Sequence, residues 1–221
     1  MPDELQGAIN SLNEYFAAIP WTASLLREPG TVAFLPASRM GPGRVREGQF
    51  PSHDEFFQHT LDNESAVPHC LGFYQDQIPA LRAASEHPDL PFVLRSSSLL
   101  YDLRPGVNGF NGTAHGGLIA AVIDDAMGSL IFQNDVVNRE AKASGALPPD
   151  ARDFKGLGYF TARMEVIYRR PIPTPSIVVA TASLTGLDGK KAHFRIVVRG
   201  EKGDEYALGE GTWISIQRPN L

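Results

Sequence analysis

Leu5, Ile9, Leu12 and Phe16 recur at three- and four-residue intervals, which predicts an amphipathic helix over residues 3–18, ended by Pro20. Residues 21–51 mix Pro, Gly and Arg without a sustained period and read as irregular chain lying over a surface. Ser52 and Glu55 have capping-box spacing ahead of Phe56 and Phe57, so a short helix is expected at 53–61. Residues 69–75 and the end of 91–103 have the apolar density of strands. A loop, NGFNGTA, then leads into His115-Gly116-Gly117 and an apolar stretch that predicts a helix over 116–132. Residues 136–158, with ASGALPPD and GLG, read as a second soft region. Beyond it the period changes to two. In TARMEVIY, Ala162, Met164, Val166 and Tyr168 share one face, and Thr161, Arg163, Glu165 and Ile167 the other. IVVATASL, AHFRIVV and TWISI follow, separated by the turn signals Asp188-Gly189 and Lys202-Gly203-Asp204. This predicts consecutive antiparallel strands joined by hairpins. Pro171, Pro173 and Pro175 suit a crossing between strands in the first connection.

A single helix too apolar for a surface requires a sheet wrapped around it, an α+β arrangement. Residues 1–65 are expected to form a partly helical extension and residues 66–221 the main domain. On a helical wheel Leu118, Ile119, Val122, Ile123, Ala126, Met127 and Leu130 fill one broad side. Gly117, Ala120, Ala121, Asp124, Asp125 and Gly128 occupy the other. Surface helices do carry charge opposite the core stripe. This face, however, has no Lys, Arg or Glu, and its small residues suit close packing, such as against a symmetry-related copy.

Composition narrows the options. The 221 residues are 43% hydrophobic and 20% charged, enough for a sizeable core. A net charge of −5 argues against nucleic-acid binding through an overall basic field. Cys70 is the one cysteine, so an internal disulfide and a cysteine-built zinc site are both excluded, and a reducing compartment is the simpler expectation. No run of about 18 purely apolar residues occurs, so no membrane span is expected. MPDELQGAINSLNEYF does not resemble a signal or transit peptide, and a cytoplasmic location is expected, with a mitochondrial one left open. No cofactor and no metal are implied.

The start of the central helix carries the candidate chemistry. Amides of Gly116 and Gly117 in a first helical turn lack internal partners and, with the helix dipole, favour developing negative charge. Glycine also leaves room for a carbonyl group to approach. His115 and Asp124 lie nine residues apart on opposite sides of one helix, so a dyad within one chain is not expected. His115 either fixes the loop by hydrogen bonding or meets a substrate directly. His69 and Cys70 read as packing residues.

HGGLIAAVIDDAMG behind a Gly/Asn-rich loop, followed by FTARMEVIYRRPIP, resembles the hotdog-fold acyl-CoA thioesterases. It is most similar to the branch of thioesterase superfamily members 4 and 5 and their fungal relatives, over roughly residues 90–217. The resemblance implies a sheet curled around one long helix, paired into a homodimer with sites between subunits; a tetramer is the alternative assembly. It implies Asp124 as catalytic carboxylate, Thr161 as a hydroxyl that places water, and the Gly116 amide as oxyanion donor. His115, beside the thioester, and Gly116 would come from the subunit opposite Asp124 and Thr161. Gly117 would border the substrate. Asn108 and Asn111 flank Gly109, where some relatives carry asparagine, and Asp125 stands where many have glutamate. The phosphates of an acyl-CoA substrate require cations, for which Arg169, Arg170, Lys190 and Lys191 are candidates. Asp124 as general base or as nucleophile, a non-catalytic acyl-CoA sensor, and a 3-hydroxyacyl dehydratase remain as alternatives.

Overall fold

The apolar run after His115 forms one continuous helix, α4 (Gly116–Ala143). It is longer than its period suggests, because Gln133 to Ala143 mixes charged and apolar residues and blurs the stripe. Burial holds this half in place. Asn134 is fully buried, accepts from the Leu94 amide at 2.7 Å, and donates to the Leu94 carbonyl at 3.1 Å. Gly145, with φ of 70°, turns the chain out of the helix, so the soft region begins there and not at residue 136. This computed structural model describes residues 3–40, 54–83, 92–151, 153–154 and 157–217.

Around α4 curls a seven-stranded antiparallel sheet in the order β1-β2-β3-β7-β8-β9-β6. Its strands are β1 (Thr31–Phe34), β2 (Cys70–Gln75), β3 (Ser96–Leu103), β6 (Leu157–Tyr168), β7 (Ser176–Asp188), β8 (Lys191–Arg199) and β9 (Glu205–Gln217). A small hairpin of β4 (Asn108–Phe110) and β5 (Thr113–Ala114) stands apart, and α3 (Ile78–Ala83) follows β2. The two turn signals do close β7–β8 and β8–β9, with Gly189 at φ 55° and Gly203 at φ 74°. β6 is not joined to β7 as a hairpin. It pairs with β9, from Leu157 opposite Gln217 to Tyr168 opposite Ala207, and the proline-rich connection crosses to β7.

The expected apolar side of α4 is the core: Leu118, Ile119, Val122, Ile123, Ala126, Met127 and Leu130 are all buried. Helix and sheet approach closely, and a side chain at Gly209 or Gly211 of β9 would collide with Ile123 or Met127. α4 is long and apolar enough, by length and composition, to cross a membrane, but the sheet accounts for its apolar side.

The extension is more ordered than its composition suggests. α1 (Asp3–Ala17) matches the expected helix, but Pro20 also opens a second one, α2 (Pro20–Leu26), at the position where proline is tolerated. Residues 31–34, expected to be irregular, form edge strand β1 against β2. Leu5, Ile9 and Phe16 of α1 pack on Leu71, Phe73, Leu100 and Val179, making a second core on the sheet face away from α4. Asp102 of β3 pins α1 there. Its Oδ2 accepts from Tyr15 at 2.8 Å and from both Nε and Nη2 of Arg104, at 3.0 and 2.7 Å. His69 also reaches this oxygen at 3.3 Å and stacks on Tyr15 with ring centres 3.7 Å apart, so it does more than pack. Cys70 is buried, and burial pushes its thiol up, consistent with a packing residue. The helical turn at Phe56–Thr60 is capped by Asp54, which accepts from the Phe57 amide at 2.9 Å. The proposed capping residue Ser52 lies outside the described residues.

Candidate active site

The β4–β5 hairpin delivers the chain to the start of α4. His115 is the N-cap: its amide donates to the Val107 carbonyl at 2.8 Å, and its Nδ1 accepts from the Gly117 amide at 2.8 Å. This corrects the expectation of two free glycine amides. Gly117 is taken by His115, and only Gly116 has an amide with no acceptor among the described residues. Because Nδ1 accepts, the ring proton of this tautomer lies on Nε2. A Cβ at Gly109 would stand 2.9 Å from the His115 ring, so glycine is what lets the loop fold back on its own cap. Any side chain at that position would require a different loop path. Tyr168, which the motif contained but the chemistry did not single out, donates its hydroxyl to the Gly116 carbonyl at 2.9 Å.

Asp124 lies midway along α4, and Thr161 of β6 donates to its Oδ1 at 2.7 Å. Strict alternation would have turned Thr161 away with Arg163 and Glu165. The register slips instead: Thr161 opposes Trp213 while Arg163 opposes Thr212, leaving Ala162 as the extra residue of a bulge. That bulge turns Thr161 toward α4. Burial raises the Asp124 carboxyl above the usual carboxylate range, the Thr161 hydrogen bond opposes this, and Asp54 adds to the rise.

Asp125, the neighbouring acid, is held on the other flank of α4, by β3. Its Oδ2 accepts from the hydroxyl of the fully buried Tyr101 on β3 at 2.7 Å. Burial pushes its carboxyl up to about 6, against the hydrogen bond from Tyr101. A raised folded-state pKa means that the native protein holds this proton more tightly than the unfolded chain. Ionised Asp125 therefore costs stability above about pH 6, and the cost disappears as pH falls from about 6 to about 4. Asp125→Asn, which can still accept from Tyr101, is expected to gain about 2–3 kcal/mol at pH 8 and nothing at pH 4. Urea unfolding at the two pH values measures this; equal effects at both would contradict it.

The small face of α4 is thus covered on both flanks, and Trp213 of β9 lies over Gly128, within 3.1 Å of where a side chain would start. Two groups of residues result. Asp124 and Thr161 are joined, as are His115, Gly116, Gly117 and Tyr168, but about 13 Å of helix axis separates them within one chain. Asn108 Oδ1 accepts from the Thr174 hydroxyl, and Asn111 sits exposed at the hairpin tip. Arg169 pairs with Glu205 at 2.8 Å and Arg170 with Asp204, so both are partly neutralised near the His115 end of the sheet. Lys190 and Lys191 lie at the opposite end, where Lys191 is in register with Ile214 of β9. Among the described residues, no cluster of three or more His, Cys, Asp or Glu side chains could hold a metal ion.

An antiparallel sheet curled around one long helix, with a histidine-capped glycine start and a carboxylate midway along it, is the hotdog fold. Residues 111–207 match the sequence model of the Thioesterase superfamily. Verlamelin biosynthesis protein B of Lecanicillium sp is 27% identical over 212 residues, covering 91% of this chain and 87% of that protein. Among solved structures, a hypothetical thioesterase of Streptococcus pneumoniae TIGR4 with coenzyme A is 12% identical, with a TM-score of 0.44, over 56% of this chain and 84% of its own. The PaaI protein of E. coli is 16% identical, with a TM-score of 0.41, over 55% of this chain and 72% of its own.

Proposed function

We propose that the protein hydrolyses acyl-CoA thioesters to a free acid and CoA, in sites completed between two copies of the chain. The observation that carries this is the hydrogen bond from Thr161 to a half-buried, proton-avid Asp124. In the general-base form, water held by Thr161 attacks the thioester carbonyl while Asp124 takes its proton. The oxyanion so formed is held by the Gly116 amide of the partner. The intermediate collapses, the C–S bond breaks, and the departing thiolate takes up a proton. In the nucleophilic form Asp124 itself attacks, the C–S bond breaks, the CoA thiolate leaves and takes up a proton, and water then cleaves the resulting anhydride to the free acid and the Asp124 carboxylate.

Two features favour a shared site. One chain separates its amide donor from its carboxylate, so two helices running in opposite directions would bring each to the other. β6 is moreover a twelve-residue edge strand with Phe160, Ile167 and Tyr168 exposed, which continuation into a second sheet would cover. Lys190, Lys191, Arg169 and Arg170 remain candidates for the CoA phosphates, the lysines being the pair without a carboxylate partner among the described residues.

A thiol-release assay over acyl-CoAs of graded length tests the reading. Release by the wild-type protein is the expected result. Tight binding without release would replace hydrolysis with a sensor role, and double-bond formation from a 3-hydroxyacyl-CoA would replace it with dehydration.

A further inference from the structure

Tyr168 takes no step in the proposed hydrolysis, yet its hydroxyl ends at the peptide group that holds the His115 ring. The Gly116 carbonyl accepts from Tyr168 at 2.9 Å, and the amide of the same peptide, on Gly117, donates to His115 Nδ1 at 2.8 Å. Donation into a peptide carbonyl polarises its N–H, so the two bonds strengthen one another. We infer that Tyr168 is a positioning residue, acting through the Gly116–Gly117 peptide to hold His115 in one orientation with its proton on Nε2. This extends the thioesterase reading and rests on it where catalysis is concerned.

The surroundings fit the role. The Tyr168 ring lies over Gly116, 3.6 Å from where a side chain there would begin, so it steadies the first turn of α4 by contact as well as by its hydroxyl. Gly109 allows the loop to press on the other side of the imidazole, 2.9 Å from a would-be Cβ. The ring is thus fixed at Nδ1 and along one side, while His115 as a whole stays exposed. Nε2–H is then a donor aimed by the scaffold. Without the Tyr168 bond, the peptide is a weaker donor, and the tautomer with the proton on Nδ1 competes.

Nitrogen-15 NMR of histidine-labelled protein tests this, with the His115 signals assigned against His115→Gln. Wild type is expected to show a protonated Nε2 and an unprotonated Nδ1; a proton on Nδ1 overturns the inference and needs no variant to be seen. Tyr168→Phe, which removes only the hydroxyl, is expected to mix the two tautomers. It is also expected to lower kcat for thiol release by about three- to tenfold, the worth of one hydrogen bond, with KM within about twofold. A variant with a lowered melting temperature but an unchanged tautomer and kcat would make Tyr168 merely structural and overturn the inference. If wild type releases no thiol from any substrate, the thioesterase reading fails, but the two tautomer spectra still decide the role of Tyr168.

Discussion

Asp124→Asn is expected to lower kcat for thiol release by about 10²–10⁴-fold, the usual contribution of a positioned base. Asparagine has nearly the same volume and can still accept from Thr161 through its carbonyl oxygen, so the bulge and the packing of β6 on α4 should survive. Only the ability to take a proton or to attack carbon is lost. The pH profile gives a second, independent reading. Asp124 works ionised, and burial holds its carboxyl above the usual range, so activity should rise with pH through a midpoint higher than that of an ordinary aspartate. Thr161→Val removes the one hydrogen bond that favours the ionised form and should move this limb further up. Steady-state rates from pH 4 to 8, with circular dichroism to verify folding, measure all three proteins. Hydrolysis by Asp124→Asn at the wild-type rate would eliminate this carboxylate as the reacting group.

Phe16→Ala should be the most damaging change outside the site, costing about 3–5 kcal/mol, as for large aromatic truncations in a closed core. Phe16 is 0% exposed and sits among Leu71, Phe73, Leu100 and Val179 on the sheet face opposite α4. Its carbonyl is also held by the Thr22 hydroxyl, which ties α2 to the end of α1 at this residue. For a domain of this size the loss corresponds to a melting temperature lower by on the order of 10 °C. The folded fraction should keep its kcat, because the sheet stands between α1 and Asp124. Exposing those four apolar strand residues should also promote aggregation on heating. Calorimetry and light scattering read both effects, and an unchanged melting temperature would mean that the extension is not integral to the fold.

The features that could be read without coordinates are those settled by neighbours along the chain. The period of Leu118 to Leu130 marks the buried stripe of α4, and Asp188-Gly189 and Lys202-Gly203 mark two hairpins, because dihedral preference and side-chain direction are local properties. His115-Gly116-Gly117 could be recognised as a helix start, and a loop-fixing role for the histidine was one of two readings open for it. α1 was legible for the same reason, whereas β1 and α2 were not: four residues and seven, interrupted by proline and glycine, carry too little pattern until β2 and the outer sheet face give them something to pack on.

What the chain by itself determined is therefore a list of parts: a small-faced apolar helix opened by glycines, two adjacent aspartates, and period-two strands. Tertiary structure decided which parts meet. The slip at Ala162 turned Thr161 toward Asp124, Tyr101 took up Asp125, and β9 became the partner of β6. Each of these depends on strands brought together from distant positions, where one residue of register reverses every side chain, and nothing local in the sequence encodes that choice.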